Sequence, residues 1–592
     1  MDLLNSLSTL LTKWLKVLLV AILLIPLAAC NPSTLVANSE STSELVQTIL
    51  SDPKTFNPVI ATDATSSGVG GMIFDGLVFS NPQTGEKEPA LAESWEFSDD
   101  KLKLVFTLRK NLKWSDGHPL TAEDVDFTYN QLYFNPKIPA SSRDGFRIGE
   151  SKTLPKVRKL NDLQIEFTLP EPFAPFLGNA SLGILPAHVL RSTLEATDRD
   201  GNLKFLTTWA LNTPPAEIPA NSAYQIAGYT TAQRVTFEEN PNYWKKEVLN
   251  EDVPHIKRVI WEIVESTDTS LMQFRSGSLD AISVSPENFS LLKKEEERGD
   301  FRIEAGGPDY GTNYIVFNLN TGKREGKPLV DPIKSQWFNN LKFRQAIAYA
   351  LNRQRMVKNI YRGLGQPQNS FISVQSPFAD DTLQGYDFEP QKAKQLLKEA
   401  GFTYNKQGKL FDAQGNRVKF TLNTNTGNKI RESMGEQVES DLEAIGIDVN
   451  FKAINFNVLV GKLSSSLEWE CILLGLTGGN EPNDGANVWF TDGNLHMFNQ
   501  KPAPGQKPIE GRTVADWEEE IDRLFVEGAR EVDEEQRKAI YIEIQQLVSD
   551  NVPFIYLVNP KSFGAVRNKI EGVEYSALGG AFWNLDELKI TE

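Results

Sequence analysis

The chain has 592 residues, with 61 Lys and Arg against 78 Asp and Glu and a formal net charge of −17. Such an acidic surface repels phosphate, which argues against nucleic acid as a partner, and offers no polybasic attraction to anionic lipid. The length permits two or more domains with large cores, and an aromatic content of 10% with 11 Trp suits either those cores or a ligand gripped on ring faces.

At the N-terminus an apolar run over 17–29 follows Lys13 and Lys16 and ends Leu27-Ala28-Ala29-Cys30. A charged start, an apolar stretch too short to span a bilayer and small residues at a cleavage point read as a signal peptide over 1–29. A Cys directly behind small residues has the pattern of a bacterial lipobox. Cys30 is therefore expected to carry lipid and to anchor the mature chain to a membrane outside the cytoplasm, in the periplasm or at the cell surface. The polar run that follows makes 30–43 a lipid-anchored flexible linker. Only Cys471 remains as a second cysteine, so a lipidated Cys30 leaves no disulfide within the chain. The apolar run Cys471-Ile472-Leu473-Leu474 predicts a buried strand thiol.

Order is expected to begin near Leu45. Leu102, Leu104, Phe106 and Leu108 alternate as one face of a strand, and Thr121 with Asp124 opens a helix. Ile165 and Phe167 continue strand alternation, 257–264 reads as another strand, and a helix starts at Thr267-Asp268. The C-terminal half is richer in helices. Phe343, Ala346, Ile347, Ala350 and Leu351 fall at helical spacing, continuing through Val357 and Ile360 to a stop at Gly363. Pro390 and Gly401 bracket a second helix. Met434, Val438, Leu442 and Ile445 line a third, and Asp533 with Gln536 resembles a capping box for a fourth. Strands at 419–423, 448–453, 470–474 and 554–558 lie between them. This alternation predicts an α/β chain with more than one sheet.

Several segments resemble the family 5 extracellular solute-binding proteins of ABC importers, which bind peptides, nickel or oligosaccharides. The most specific runs from Leu91-Ala92-Glu93-Ser94-Trp95-Glu96 through Trp114-Ser115-Asp116-Gly117-His118-Pro119-Leu120-Thr121-Ala122-Glu123-Asp124-Val125. Asn240-Pro241-Asn242-Tyr243-Trp244, Phe343-Arg344-Gln345-Ala346 and the helix before Gly401-Phe402 follow in the family's order. Physically, Trp114 and Trp244 are expected to pin turns to the core, with Asp116 bonding backbone two residues on and Gly117 supplying positive φ.

The resemblance implies an α/β, two-lobed clamshell of the type II periplasmic-binding-protein kind. Lobe I would comprise 44–308 plus 553–592, with an extra α/β subdomain at about 80–210, and lobe II 309–552. The chain would cross near 306–313 and return near 551–553, where Gly306, Gly307 and Gly311 suit a hinge. It also implies a monomeric receptor that captures a peptide or other small molecule and hands it to permease and ATPase subunits on other chains.

In peptide-binding relatives one segment carries an Asp that holds the peptide's α-amine, since a desolvated ammonium needs a charged partner. Local alignment puts that position at Gly479, within Thr477-Gly478-Gly479-Asn480-Glu481; Glu481 and Asp484 are the neighbouring carboxylates. The departure leaves open a longer or blocked peptide, or a ligand without an amine. Thr477, Gly478, Gly479, Asn480, Glu481, Asp484 and Trp489 are the ligand-binding candidates. Trp489 and Phe490 could stack on ligand, as an oligosaccharide would require.

An enzyme is the competing class. No Gly-x-Ser-x-Gly, His-Glu-x-x-His, P-loop or dinucleotide fingerprint occurs, which leaves a lipid-anchored hydrolase built on a carboxylate pair as the remaining form. None of His118, His188, His255 and His496 is paired at ligand spacing, so no metal, cofactor or catalytic residue is expected.

Overall fold

The computed structural model describes residues 44–198, 201–503 and 505–591. The expectations for residues 1–43, including the signal peptide, Cys30 and the linker, lie outside the described residues.

Two large apolar cores dominate. One gathers residues from Leu45 to Trp261 together with Val566, Ile570 and Leu588, and the other gathers residues from Tyr314 to Val558. The first lies against two four-stranded sheets. In one, Glu44–Ile49 runs parallel to Arg258–Ile263, followed by Arg234–Glu239 and Tyr224–Thr230. The other is the antiparallel set Ala92–Phe97, Lys103–Leu108, Gln164–Thr168 and Lys156–Asn161. Alternation places Leu104, Phe106 and Leu108 in the core, each no more than 1% exposed.

The family-like turn is built as its residues dictate. Asp116 Oδ1 accepts from the His118 amide at 3.0 Å, Gly117 takes φ +89°, and Trp114 is fully buried. Thr121 and Asp124 form a reciprocal capping box on the helix Ala122–Phe127. Trp244 donates its indole N–H to Asp75 at 2.7 Å beneath the guanidinium of Arg109.

The second core holds a mixed five-stranded sheet in the order Asp448–Ile454, Lys419–Asn425, Cys471–Leu476, Thr312–Phe317, Phe554–Tyr556. Cys471 is fully buried in its strand. The helices Pro390–Glu399, Lys429–Ala444 and Glu534–Asn551 form where the spacing predicts them. The continuous helix expected over 343–360 is instead two, Leu341–Ala350 and Arg353–Asn359. Asn352 explains the break, because its side chain accepts from the Arg355 amide at 2.8 Å and caps a new helix start.

Another four-stranded sheet, Ala281–Ser283, Val558–Arg567 and Phe301–Pro308 with Gly365–Pro367 also paired to Val558–Arg567, joins the two regions. The chain leaves it after Phe301–Pro308 and enters the five-stranded sheet at Thr312–Phe317. It comes back between Phe554–Tyr556 and Val558–Arg567. The two passages lie side by side: the Asp309 amide donates to the Pro560 carbonyl and the Leu557 amide to the Asn313 carbonyl, both at 2.8 Å. Gly306 and Gly307 sit at a register shift in the first passage, and Gly307 takes φ +81°.

Candidate functional site

The loop after strand Cys471–Leu476 is shaped by close approach. A Cβ on Gly478 would lie 1.8 Å from the Tyr310 carbonyl oxygen, so this position has no room for a side chain. A Cβ on Gly479 would lie 2.7 Å from Asp484 Oδ2. The Asp484 carboxylate therefore occupies the space that a side chain at 479 would fill. The two residues are brought together by the tight turn Pro482–Gly485, capped by Glu481, whose Oε1 accepts from the Asn483 amide at 2.9 Å.

This loop borders a cavity of about 330 Å³. Thr477, Gly478, Gly479, Glu481, Asp484 and Trp489 all line it, together with Thr312, Tyr314, Phe554 and Tyr556 from the five-stranded sheet. Asn480 does not; its carbonyl accepts from Ser376 Oγ at 2.9 Å. Asp484 is open to water inside this concave space yet hemmed in by protein, and this desolvation, with the charge of Glu481 beside it, pushes its carboxyl up to about 7 against the pull of Lys87 and Arg537. Glu481 is committed elsewhere, in an ion pair with Arg537. Of the two carboxylates, Asp484 is the one left for a cationic partner.

Trp489 is only 3% exposed, stacked on Phe525 and edge-on to Phe554. Phe490 is 1% exposed, beneath the cationic ends of Arg147 and Lys152. Both rings are spent on packing, which leaves no free face for a sugar ring. His496 is buried as well, with Nδ1 2.8 Å from the Val488 carbonyl and Nε2 2.9 Å from Glu518.

A second, larger cavity of about 620 Å³ lies on the side of the joining sheet. Gln47, Ser283, Ser562 and Tyr575 line it from the first region and Asp309, Asn313 and Arg431 from the second. The strand pleat separates the two cavities: Thr312 and Tyr314 line the smaller and Asn313 the larger, as the alternation of a strand requires.

Sequence reasoning missed the contacts that tie the first region to this loop. Arg147 holds Asp492 through two parallel bonds of 2.5 and 2.6 Å. Lys152 pairs with Asp522, and the Asn494 amide donates to Asp144 at 3.0 Å. Their partners lie more than 300 positions apart, so no local spacing could announce them. Asp116, His118 and His188 also gather on the surface, His188 arriving from 72 positions beyond Asp116, with the two imidazoles stacked 4.1 Å apart.

The pattern described as "Bacterial extracellular solute-binding proteins, family 5 Middle" matches residues 86–496, more than half of the chain. The chain belongs to this family. Family 5 proteins bind substrates rather than transform them. A probable ABC transporter-binding protein of Deinococcus radiodurans is 29% identical over 89% of this chain and 88% of its own length. The oligopeptide-binding protein AppA of Bacillus subtilis is 25% identical over 94% of each. Among solved structures, AppA from Bacillus subtilis in complex with a nonapeptide superposes with a TM-score of 0.77 at 22% identity, covering 93% of this chain and 99% of that one. MelB from Agrobacterium fabrum in complex with stachyose superposes with a TM-score of 0.80 at 19% identity, covering 93% and 85%. The family 5 fold is thus the two-lobed α/β clamshell expected from the sequence, and no helix among the described residues is long and apolar enough to cross a membrane.

Proposed function

We propose that this chain is the lipid-anchored substrate-binding protein of an ABC importer and captures peptides in the cleft between its two lobes. The lobes are taken as 44–308 plus 553–592 and 309–552, except that Phe554–Tyr556 pairs with Thr312–Phe317, so the return crossing is drawn at 556–558 rather than 551–553; Gly306, Gly307 and Gly311 absorb the rotation. The observation that carries the peptide reading is Asp484. Its carboxyl fills the space of a Gly479 side chain, faces the cavity and, among the described residues, feels Lys87 and Arg537 without forming an ion pair with either. A peptide ammonium entering there supplies the missing charge and restores the carboxylate through a charge-assisted hydrogen bond. The relatives named for oligopeptides point the same way.

In this reading Cys30 carries the lipid, 30–43 is the tether, and the protein works outside the cytoplasm as a monomer beside a permease and its ATPases. Affinity in the micromolar range, about −8 kcal/mol, allows release to the permease.

The test is native mass spectrometry of the protein lacking residues 1–30 after exposure to a tetrapeptide library, each member with a free and with an acetylated amine. The wild type should retain the free-amine members. Asp484→Ala should lose that preference, and Gly479→Asp combined with Asp484→Ala should recover it. A protein that ignores both libraries and takes up oligosaccharides refutes the peptide reading and leaves the importer reading in place.

A further inference from the structure

Asp116, His118 and His188 converge on one point of the surface and line neither of the two cavities. Spacing along the chain does not announce this meeting, because the second imidazole arrives on a different element. Asp116 and His118 belong to the turn that follows Trp114, and His188 is the second residue of the helix Ala187–Glu195.

Both elements are fixed before any ligand arrives. Within the turn the Trp114 amide donates to the His118 carbonyl at 2.8 Å and the Gly117 amide to the Trp114 carbonyl at 2.9 Å. Ser115 is clamped to Ala220, its amide donating to the Ala220 carbonyl at 2.8 Å and its Oγ accepting from the Ala220 amide at 3.0 Å. The start of the helix is held by Asp124, whose Oδ1 accepts from the Ala187 amide at 3.0 Å. The fully buried Trp114 backs the cluster, its ring 6.2 Å from that of His188.

Asp116 divides its two oxygens between these elements. Oδ1 accepts from the His118 amide, which leaves Oδ2 for the rings. Oδ2 lies 2.8 Å from His188 Nε2 and 3.2 Å from His118 Nδ1, and the three atoms all lie within 4.8 Å of one another. Atoms bound to Zn²⁺ at about 2.0–2.1 Å in a tetrahedron stand roughly 3.3 Å apart, so a slight spread closes the cluster on an ion. Among the described residues no lysine or arginine forms an ion pair with Asp116. The side chains of His118, Asp116 and His188 are 59%, 29% and 24% exposed, so an ion reaches them directly from solvent.

We propose that Asp116, His118 and His188 form a binding site for a transition-metal dication of the Zn²⁺ and Ni²⁺ class, with water in the remaining position. Two imidazoles and one carboxylate suit such ions, whereas Mg²⁺ and Ca²⁺ favour shells made of oxygen. The ion staples the turn 114–118 to a helix that begins about seventy positions further on, which ties two distant parts of the first region together. It acts outside both cavities, so the inference stands apart from what the cleft carries.

The experiment titrates the protein lacking residues 1–30, free of any histidine tag and labelled with ¹⁵N-histidine, with zinc chloride in calorimetry and NMR. With four histidines in the chain, each ring resonance is assigned by its own substitution to Gln. The rings of His118 and His188 should shift together on binding, while those of His255 and His496 stay in place. His118→Gln, at the most exposed of the three side chains, should weaken binding at least about tenfold and leave the metal-free melting temperature unchanged. Adding His188→Gln should abolish binding. Zn²⁺ should raise the melting temperature of the wild type and not that of the double variant. Should the double variant fail to fold, His118→Gln and the ring shifts of the wild type decide. Absence of binding overturns the inference, as does binding that leaves either ring unmoved or keeps full affinity in His118→Gln. Equal shifts with magnesium chloride overturn it too.

Discussion

Replacing Asp492 by Asn removes the carboxylate that Arg147 grips while keeping its shape. The pair is bidentate, at 2.5 and 2.6 Å, with Arg147 15% and Asp492 41% exposed. Partial burial works against the ionised form, yet Arg147 and Lys152 hold the Asp492 carboxyl well below the usual carboxylate range. Breaking a fully buried pair costs about 3–5 kcal/mol and an exposed one about 0–1 kcal/mol. This pair lies between, and Arg147 keeps Asp144 at 3.4 Å, so no guanidinium is left stranded. The expected loss is about 2 kcal/mol, or roughly thirtyfold in an equilibrium constant. If segments 140–152 and 483–494 separate when the cleft opens, the loss falls on the closed state alone. Calorimetry with a retained library peptide should then show Kd rising roughly thirtyfold, while the unliganded melting temperature stays put. An unchanged Kd with a lowered melting temperature would show that the contact is permanent, and would refute its role in closure.

Capture of free-amine peptides should strengthen as pH rises from about 5 to about 7.5, because the Asp484 carboxyl must lose its proton to meet an ammonium, and Asp484→Asn should flatten that profile in a calorimetric titration. For the empty protein the sign is opposite. The folded-state pKa of about 7 lies above the ordinary 3.8, so the stabilisation from this group is full below the lower value and is lost as pH rises through the upper one, which urea unfolding across pH will read. His496→Ala should cost about 3–5 kcal/mol in the same unfolding assay, since it strands a Glu518 carboxylate that is 4% exposed; a cost under about 1 kcal/mol would mean that Asn499 and the Ala515 amide suffice for it. Cys30→Ser should move the protein from the membrane fraction to the soluble extracytoplasmic fraction in the native host, and an unchanged partition would remove the lipid anchor from the proposal.

What the sequence made legible was whatever is encoded over a few residues. The capping box at Thr121 and Asp124, the turn at Asp116-Gly117 and the strand of Cys471 are short-range consequences of side-chain chemistry, and each forms where its residues call for it. The break at Asn352 was hidden because the apolar spacing runs on through it, and a cap contributes only one hydrogen bond against that pattern. The site was half legible. Alignment pointed to position 479 and found a glycine, but only the folded loop shows Asp484 filling that space from five residues on. The Arg147–Asp492 grip and the Arg431 cavity depend on residues that tertiary folding alone brings together.

The pleat of strand Thr312–Phe317 bears on how this scaffold could be turned into a sensor. Three successive residues, Thr312, Asn313 and Tyr314, serve two cavities between them, so an insertion or deletion there would exchange the linings of both at once. Retargeting is better confined to the turn Pro482–Gly485 and the first turn of Lys429–Ala444. Each of these borders only one of the two cavities, so each can be diversified while the lining of the other cavity, and the backbone that carries a reporter, stay as they are.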